Sequence, residues 1–550
     1  MYGLSGRDVM MSKADISHTL RWRNAAWSKL VERNLHGPQQ WDLLVIGGGI
    51  TGAGILREAR RRGLAACLVE QQDFAWGTSS RSSNMIHGGL RYLMAGRIKL
   101  TRDSLRERER LLREVPGLVN PLGFLFCDYK GRWPGRWSFG LLLSTYDLLA
   151  QRWNHGYYPS HEYTLLAPRI RLAGLKGGAQ CFDAVTDDAR LVMRVIQEAQ
   201  QEGALALNYV VAEQVITKGQ QICGIAVRDM LSGSTAEVRA KAVVNATGAW
   251  ADRLRRQAGG GQDIRPLRGS HLVFPFWRLP IAQAIGLRHP KDSRAVFLLP
   301  WEGVTVVGTT DLDHKEDLNT EAHITLKEVD YLLEIVRYQF PALQVDHGDI
   351  IATWSGVRPV LGAGLLDPSK ERRDHRIWVE RGLISVSGGK LTTFRLIALD
   401  VLRHAAQFIP SLSIDDATEP IFGKVERQRL VLAGLYCRFT QRLLGRYGMV
   451  AEDVFKCAGE GELSPIPGTD TLWVELRWAA RNEAVVRLED LLLRRTRLGI
   501  LLEEGGMKLF DRIKPICQQE LGWNDDQWNH EVETYSNLWH RCHSVPNRDI

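Results

Sequence analysis

The pattern of apolar and polar positions divides the chain into units. Leu43 to Ile46 is a continuous apolar run, which predicts a strand buried on both faces of a parallel sheet, and Ala65 to Glu70 predicts a second. Between them lie a glycine turn and a helical stretch. Ser17 is placed to cap a short helix through Arg33, read as a packing appendage ahead of a membrane anchor. Arg97 to Arg113 carries charge at almost every other place, with Leu100, Leu105, Leu111 and Leu112 on one face, the mark of a solvated helix. Asp187 and Asp188 open a helix to about Gly203, with acids where the helix dipole favours them. Two β-rich runs, Ala206 to Val215 and Ile222 to Arg228, precede a buried strand in Ala242 to Trp250 that ends in a glycine turn. Strand and turn alternate from Arg268 to Asp311, which predicts an antiparallel, substrate-facing layer. Leu383 to Phe394 repeats strand, glycine turn and helix, the helix reaching about Phe408. After a polar loop, Ile409 to Pro420, a mostly helical region runs to the end, with apolar and basic residues alternating over Arg477 to Leu502.

The glycines carry chemistry. Gly47, Gly49 and Gly52 follow the first strand at the spacing of a dinucleotide-binding turn: a sharp bend, a close approach to pyrophosphate, and a close helix–strand contact. Glu70, 23 residues after Gly47, ends the second strand where an acid takes a ribose hydroxyl. Glycine-bearing strand ends near residues 47, 248 and 388 are spread over roughly 340 residues. A nicotinamide enzyme keeps its contacts within one contiguous unit, so this layout favours the longer cofactor FAD. Gly77 to Tyr92, dense in hydroxyls and glycines, reads as a loop offering small donors to a ligand.

Composition narrows the class. At 550 residues and 44% hydrophobic, the chain buries cores for two or three domains. No run reaches the ~18–20 apolar residues that cross a bilayer. Asp8, Asp15 and Glu32 argue against a targeting signal, leaving the cytoplasm as default compartment. Eight cysteines without metal-ligand spacing read as reduced thiols, with no metal site. The net charge of +8 favours phosphorylated substrates, anionic lipid or nucleic acid without choosing among them. Arg132 to Trp153 mixes Trp, Arg and apolar residues, which suits a lipid headgroup surface and a sheet-packed helix alike.

The glycine triplet, Thr78 to Ser80 with Ser82 and Ser83, Ile86 to Tyr92, Asp187 to Arg190, Asn245 to Gly248, Gly269 to His271, Gly308 to Asp311, Ser355 to Pro359, Arg373 with Asp374, and Gly388 to Thr393 together resemble the respiratory FAD-dependent glycerol-3-phosphate dehydrogenases, within the D-amino-acid oxidase-like flavoproteins. Leu488 to Arg497 resembles their C-terminal helical domain. The first 40 residues and the run Val360 to Gly364 are this chain's own. The resemblance implies an α/β fold: a composite Rossmann-like FAD-binding domain, an antiparallel β substrate domain and a helical C-terminal domain. The expected boundaries are an extension over 1–40, an oxidoreductase region over 41–407 with its substrate domain at roughly 116–180 and 250–350, and a helical domain over 408–550.

Oxidising a secondary alcohol needs a hydride acceptor, a base, and cations that grip the phosphate. By position in the family motifs, Arg91 and Arg373 take the phosphate, Tyr92, Thr309 and Thr310 touch substrate, and Arg358 lies near the reacting end. His271 is the expected base because imidazole titrates near neutrality, with Lys390 as alternative. The FAD contacts expected are Gly47, Gly49, Gly52, Glu70, Thr78, Ser79, Ser80, Ser82, Ser83, His87, Gly88, Gly89, Thr247, Gly248, Gly389, Lys390, Leu391 and Thr392. The resemblance implies oxidation of sn-glycerol 3-phosphate, electrons passing to membrane quinone, and a peripheral seat on anionic lipid at the inner face of the cell membrane. A homodimer stays open. Rival readings are an oxidase using oxygen, an amino-acid oxidase on the same fold, and a basic nucleic-acid-binding scaffold, the least favoured.

Overall fold

The computed structural model describes residues 18–35, 40–131, 135–362, 374–414, 419–425 and 436–547. The site is placed by strands β1 (Trp41–Ile46), β2 (Ala66–Val69), β3 (Thr235–Asn245), β4 (Ile264–Pro275), β5 (Ala352–Leu361) and β6 (Leu383–Ser387). Around them stand helices α1 (His18–Leu35), α2 (Ile50–Arg61), α3 (Arg136–Ala150), α4 (Asp188–Gln201), α5 (Leu326–Gln339) and α6 (Phe394–Ala405).

The first sheet runs Arg376–Glu380, β6, β3, β1, β2, Leu205–Leu207, parallel along this path except for its first strand, with Gln221–Asp229 and Val210–Lys218 joined antiparallel off β3. Leu43, Leu44 and Val45 are fully buried, each worth about 1.5–3 kcal/mol as a large apolar side chain removed from water. They are apolar on both faces because both faces are covered. Residues of α2, α4 and α6 join Leu43, Val45 and Val244 in one core, while Ala26 and Leu30 of α1 join Leu44 and Val243 in another. Buried Arg23 of α1 pairs with Asp229 at 2.7 Å, so this helix is fastened to the sheet; Ser17, expected to cap it, lies outside the described residues.

Ile46 stands opposite both Asn245 and Val69, so β1, β2 and β3 end at one level. The chain goes from β1 to β2 on one side and returns to β3 on the other. That reversal opens a crevice at the carboxyl ends, where open parallel sheets hold ligands. The three glycine turns far apart in sequence leave from this one edge.

The second sheet is antiparallel except where Asn120–Tyr129 runs beside Ala284–Arg288. β4 pairs with β5 and with Val304–Gly308, setting His271 opposite Trp354 and Gly308. Side chains alternate across it. Leu272 and Phe274 pack under Val329, Leu332 and Val336 of α5, whereas Val273 and Trp354 share a core with the C-terminal helices Trp473–Asn482, Phe510–Leu521 and Asp525–Cys542.

Candidate active site

β1 delivers the chain to Gly47, where φ of +111° and a hydrogen bond donated by its amide to the Val69 carbonyl turn it under α2. A Cβ on Gly52 would lie 1.9 Å from the Gly47 carbonyl oxygen, so only glycine lets the helix pack this close to its strand. Gly49 starts α2 in an extended conformation without a side-chain cap, and a Cβ there would meet only Ser79, its hydroxyl at 3.1 Å. The Ser79 hydroxyl accepts from the Ile50 amide at 3.0 Å. Glu70 accepts from the Gly48 amide at 2.6 Å and the Gln72 amide at 2.9 Å; burial nonetheless pushes its carboxyl above the ordinary range. Thr247 donates to Asn245 at 2.7 Å, and Gly248, with φ of +58°, accepts from the Ser387 hydroxyl. A helix start whose N-cap is glycine, touched only by the small Ser79 hydroxyl and with an acid beside it, fits the pyrophosphate and ribose of FAD.

Beyond this turn lies a cavity of about 1000 Å³. Thr78, Ser82, Ser83, His87 and Gly89 line it from the first region, Gly389, Lys390, Leu391 and Thr392 from the turn after β6, and Thr309, Thr310 and Arg358 from the second sheet. Arg91 and Tyr92 complete its cationic end. Arg358 is held by Thr309 Oγ1 at 2.9 Å and Asp311 Oδ1 at 3.2 Å. Lys390 Nζ sits 3.5 Å from the centre of the Tyr92 ring and donates to Ser104 at 3.4 Å. Another part of the wall is aromatic, with Phe124, Phe126, Phe139 and Phe297. The expected phosphate ligand Arg373 lies outside the described residues.

Several expected roles change. His271 does not reach the cavity wall; it is fully buried behind Ser83, whose Oγ is 2.8 Å from its Nε2, and stacks on Trp354 with centroids 4.9 Å apart. Burial first, and the Arg358 charge second, lower its pKa to about 3, so the near-neutral titration expected from sequence is lost. Thr310 lines the cavity, but its hydroxyl is engaged within the protein, donating to Glu328 at 2.7 Å and accepting from the Ser270 amide at 2.9 Å. Gly88 is absent from the cavity wall because it packs inward, where a Cβ would lie 2.3 Å from Leu105 and 2.5 Å from the Tyr146 hydroxyl. Ser80 lines a small gap beside Glu321, Arg494 and Arg497 instead of the main cavity.

Residues 42–435 match the family described as FAD dependent oxidoreductase, and residues 407–528 match the C-terminal domain of alpha-glycerophosphate oxidase. Glycerol-3-phosphate dehydrogenase 2 of Mycobacterium tuberculosis is 37% identical over 540 residues, covering 93% of this chain and 89% of its own. The chain belongs to the FAD-dependent glycerol-3-phosphate dehydrogenase family. Aerobic glycerol-3-phosphate dehydrogenase of Staphylococcus aureus is 34% identical over 492 residues, covering 85% of this chain and 88% of its own. Among solved structures, the glycerol-3-phosphate dehydrogenase of Bacillus halodurans complexed with FAD superposes with a TM-score of 0.74 at 28% identity, covering 95% of this chain and 98% of that one.

In this member of the family, sequence reasoning missed the supporting side chains. Glu328 gathers Ser270 and Thr310 on one oxygen and Arg268 and Thr325 on the other, which holds it below the ordinary carboxylate range against the opposing effect of burial. Its signal was the spacing from Thr325, which reads as an ordinary capping box at the start of α5. Asp73, three residues past Glu70, is fully buried and gripped by Arg494 at 2.6 Å and Arg495 at 2.7 Å. Burial works to raise its carboxyl, and the two guanidiniums overcome this and leave it lowered. The basic run of the C-terminal domain is therefore an internal strut beneath the cofactor turn.

Proposed function

We propose that this protein oxidises sn-glycerol 3-phosphate to dihydroxyacetone phosphate, with FAD as electron acceptor. The observation that carries the reading is the convergence of Arg91, Arg358 and Lys390, from three distant segments, on one cavity that Thr78 and the turn after β6 also line. A phosphate dianion needs several cations, and planar guanidiniums grip its oxygens in pairs. A single carboxylate, as in an amino acid, needs fewer. The relatives' names supply the matching substrate.

Bound FAD supplies the two-electron acceptor; the glycine turn, Glu70 and the wall from Gly389 to Thr392 are the residues to hold it. Arg91 and Arg373 bind the phosphate. Arg358, fixed by Thr309 and Asp311, orients the reacting hydroxyl, and Lys390 adds positive charge at the same end. His271 is the base: burial and the Arg358 charge keep it neutral before substrate binds, and the substrate's negative charge beside Arg358 is what raises its hold on a proton.

Electrons pass on to membrane quinone, and the protein rests on anionic lipid at the inner face of the cell membrane. Supporting this seat, α3 exposes Trp137, Leu141 and Leu148, each more than 70% accessible, followed by exposed Trp153, with Arg136 packed against Trp137. No helix among the described residues is long and apolar enough to cross a membrane. Cosedimentation with anionic vesicles tests the seat, and equal loss to the pellet without vesicles removes it.

Anaerobic addition of sn-glycerol 3-phosphate to the yellow protein decides the reaction. Bleaching of the flavin is expected. Bleaching by glycine or D-alanine instead would move the protein to the amino-acid oxidases on this fold, and fast re-oxidation by air rather than by quinone would make it an oxidase.

A further inference from the structure

His271 and the cavity are separated by one side chain. Ser83 lines the cavity; His271 is fully buried behind it, and the two meet through Ser83 Oγ and His271 Nε2 at 2.8 Å. A base that does not reach the wall cannot take a proton from a substrate hydroxyl directly, because proton transfer needs hydrogen-bond contact. We propose that Ser83 is a catalytic proton relay between the substrate hydroxyl and His271. The inference rests on His271 being the base.

The hydroxyl suits this step. It carries one donor and two acceptor lone pairs, so Ser83 accepts the substrate proton on Oγ while its own proton passes to His271 Nε2. Bound FAD would take the hydrogen and electron pair of the substrate C–H bond as the carbon–oxygen double bond forms. After product departs, the proton returns from Nε2 through Ser83 to cavity water. Among the described residues His271 Nδ1 has no hydrogen-bond partner, so no neighbour pins the tautomer and the Ser83–Nε2 bond can run in either direction. Both ends of the relay are held. His271 stacks on Trp354, and Ser82, next to Ser83, donates its amide to Asp188 at 2.8 Å. The charged neighbour acting on the imidazole is Arg358, and a dianionic substrate bound beside Arg358 offsets that charge and raises the imidazole's affinity for the proton.

Anaerobic stopped-flow bleaching of the FAD-loaded protein tests this with Ser83→Ala, Ser83→Thr, His271→Gln and the double variant S83A/H271Q. Ser83→Ala is expected to slow flavin reduction by about 10²–10⁴-fold, the range of general base catalysis. FAD content, the flavin spectrum and the product affinity read from spectral shifts are expected to stay within about threefold. Ser83→Thr, which keeps the hydroxyl, is expected to restore most of the rate, and the double variant to be no slower than His271→Gln, since two groups in one relay are not additive. A rate for Ser83→Ala within threefold of the parent, or losses that multiply in the double variant, would overturn the relay. If His271→Gln alone is slow, the base assignment survives and the relay fails. If the parent protein does not bleach with sn-glycerol 3-phosphate, the proposed function itself fails.

Discussion

Two glycines of one turn separate folding from cofactor binding. At Gly52 an added Cβ falls 1.9 Å from the Gly47 carbonyl oxygen, so α2 or the turn has to move by roughly 1 Å or more, and overpacking of this kind costs about 1–3 kcal/mol. At Gly49 an added Cβ meets only Ser79, its hydroxyl at 3.1 Å, and the extended backbone is one that alanine adopts. There the penalty to the protein alone is about 1 kcal/mol or less, that of alanine at a helix N-cap. The methyl group would instead stand where the pyrophosphate approaches. Gly49→Ala should therefore weaken FAD by roughly tenfold to a hundredfold, on the order of 1.4–2.7 kcal/mol, with the apoprotein's melting temperature barely changed. Gly52→Ala should lower both. Titrating deflavinated protein with FAD by fluorescence quenching, alongside melting of the apoprotein, measures the two quantities separately. If Gly49→Ala melts as early as Gly52→Ala, or binds FAD as tightly as the parent, the assignment of this turn is wrong.

Arg91→Ala should raise the substrate concentration for half-maximal reduction by about tenfold or more while FAD stays bound, two charge-assisted bonds being worth more than 1.4 kcal/mol; loss of FAD with unchanged substrate affinity would show it on the wrong ligand. Asp73→Asn should leave Arg495 buried beside a neutral partner, and Arg494 with Asp490 and Glu489 alone, and destabilise the fold by about 3–5 kcal/mol, read by denaturant unfolding; an unchanged midpoint would refute the strut. His271 has a folded pKa of about 3 against about 6.5 when unfolded, so the unfolded chain binds the extra proton. Its contribution is complete above about pH 6.5 and erodes as pH falls toward about 3, by about 2 kcal/mol between pH 6.5 and 5. His271→Gln should flatten that slope, and an unchanged slope would show the imidazole to be solvated.

The first sheet was legible because its strands are buried on both faces. A run such as Leu43 to Ile46 cannot be anything polar without leaving unpaired groups in the core, and Gly47, Gly49 and Gly52 have local geometric reasons that spacing alone reveals. The aromatic and cationic stretch from Arg132 to Trp153 was ambiguous, and the described part is a helix, α3, with one face exposed and Leu143 and Tyr146 buried. His271 shows where sequence reading stopped. Its residue type implied a near-neutral base, but its titration is set by burial, under the stacked Trp354 among others, and by the Arg358 charge; both residues lie more than 80 positions away and are brought near by strand pairing.

Local order along the chain, strand then turn then helix then acid, is written in side-chain size and polarity at adjacent positions, and the choice of FAD in the spread of the glycine-bearing strand ends over roughly 340 residues. Register is different in kind. Which hydroxyl stands between His271 and the cavity, why Thr310 faces Glu328, and how Arg494 and Arg495 come to lie beneath the cofactor turn depend on contacts between residues 18 to more than 400 positions apart. Such contacts are chosen by the packing of whole sheets and helices against one another, and no local pattern of residues carries them.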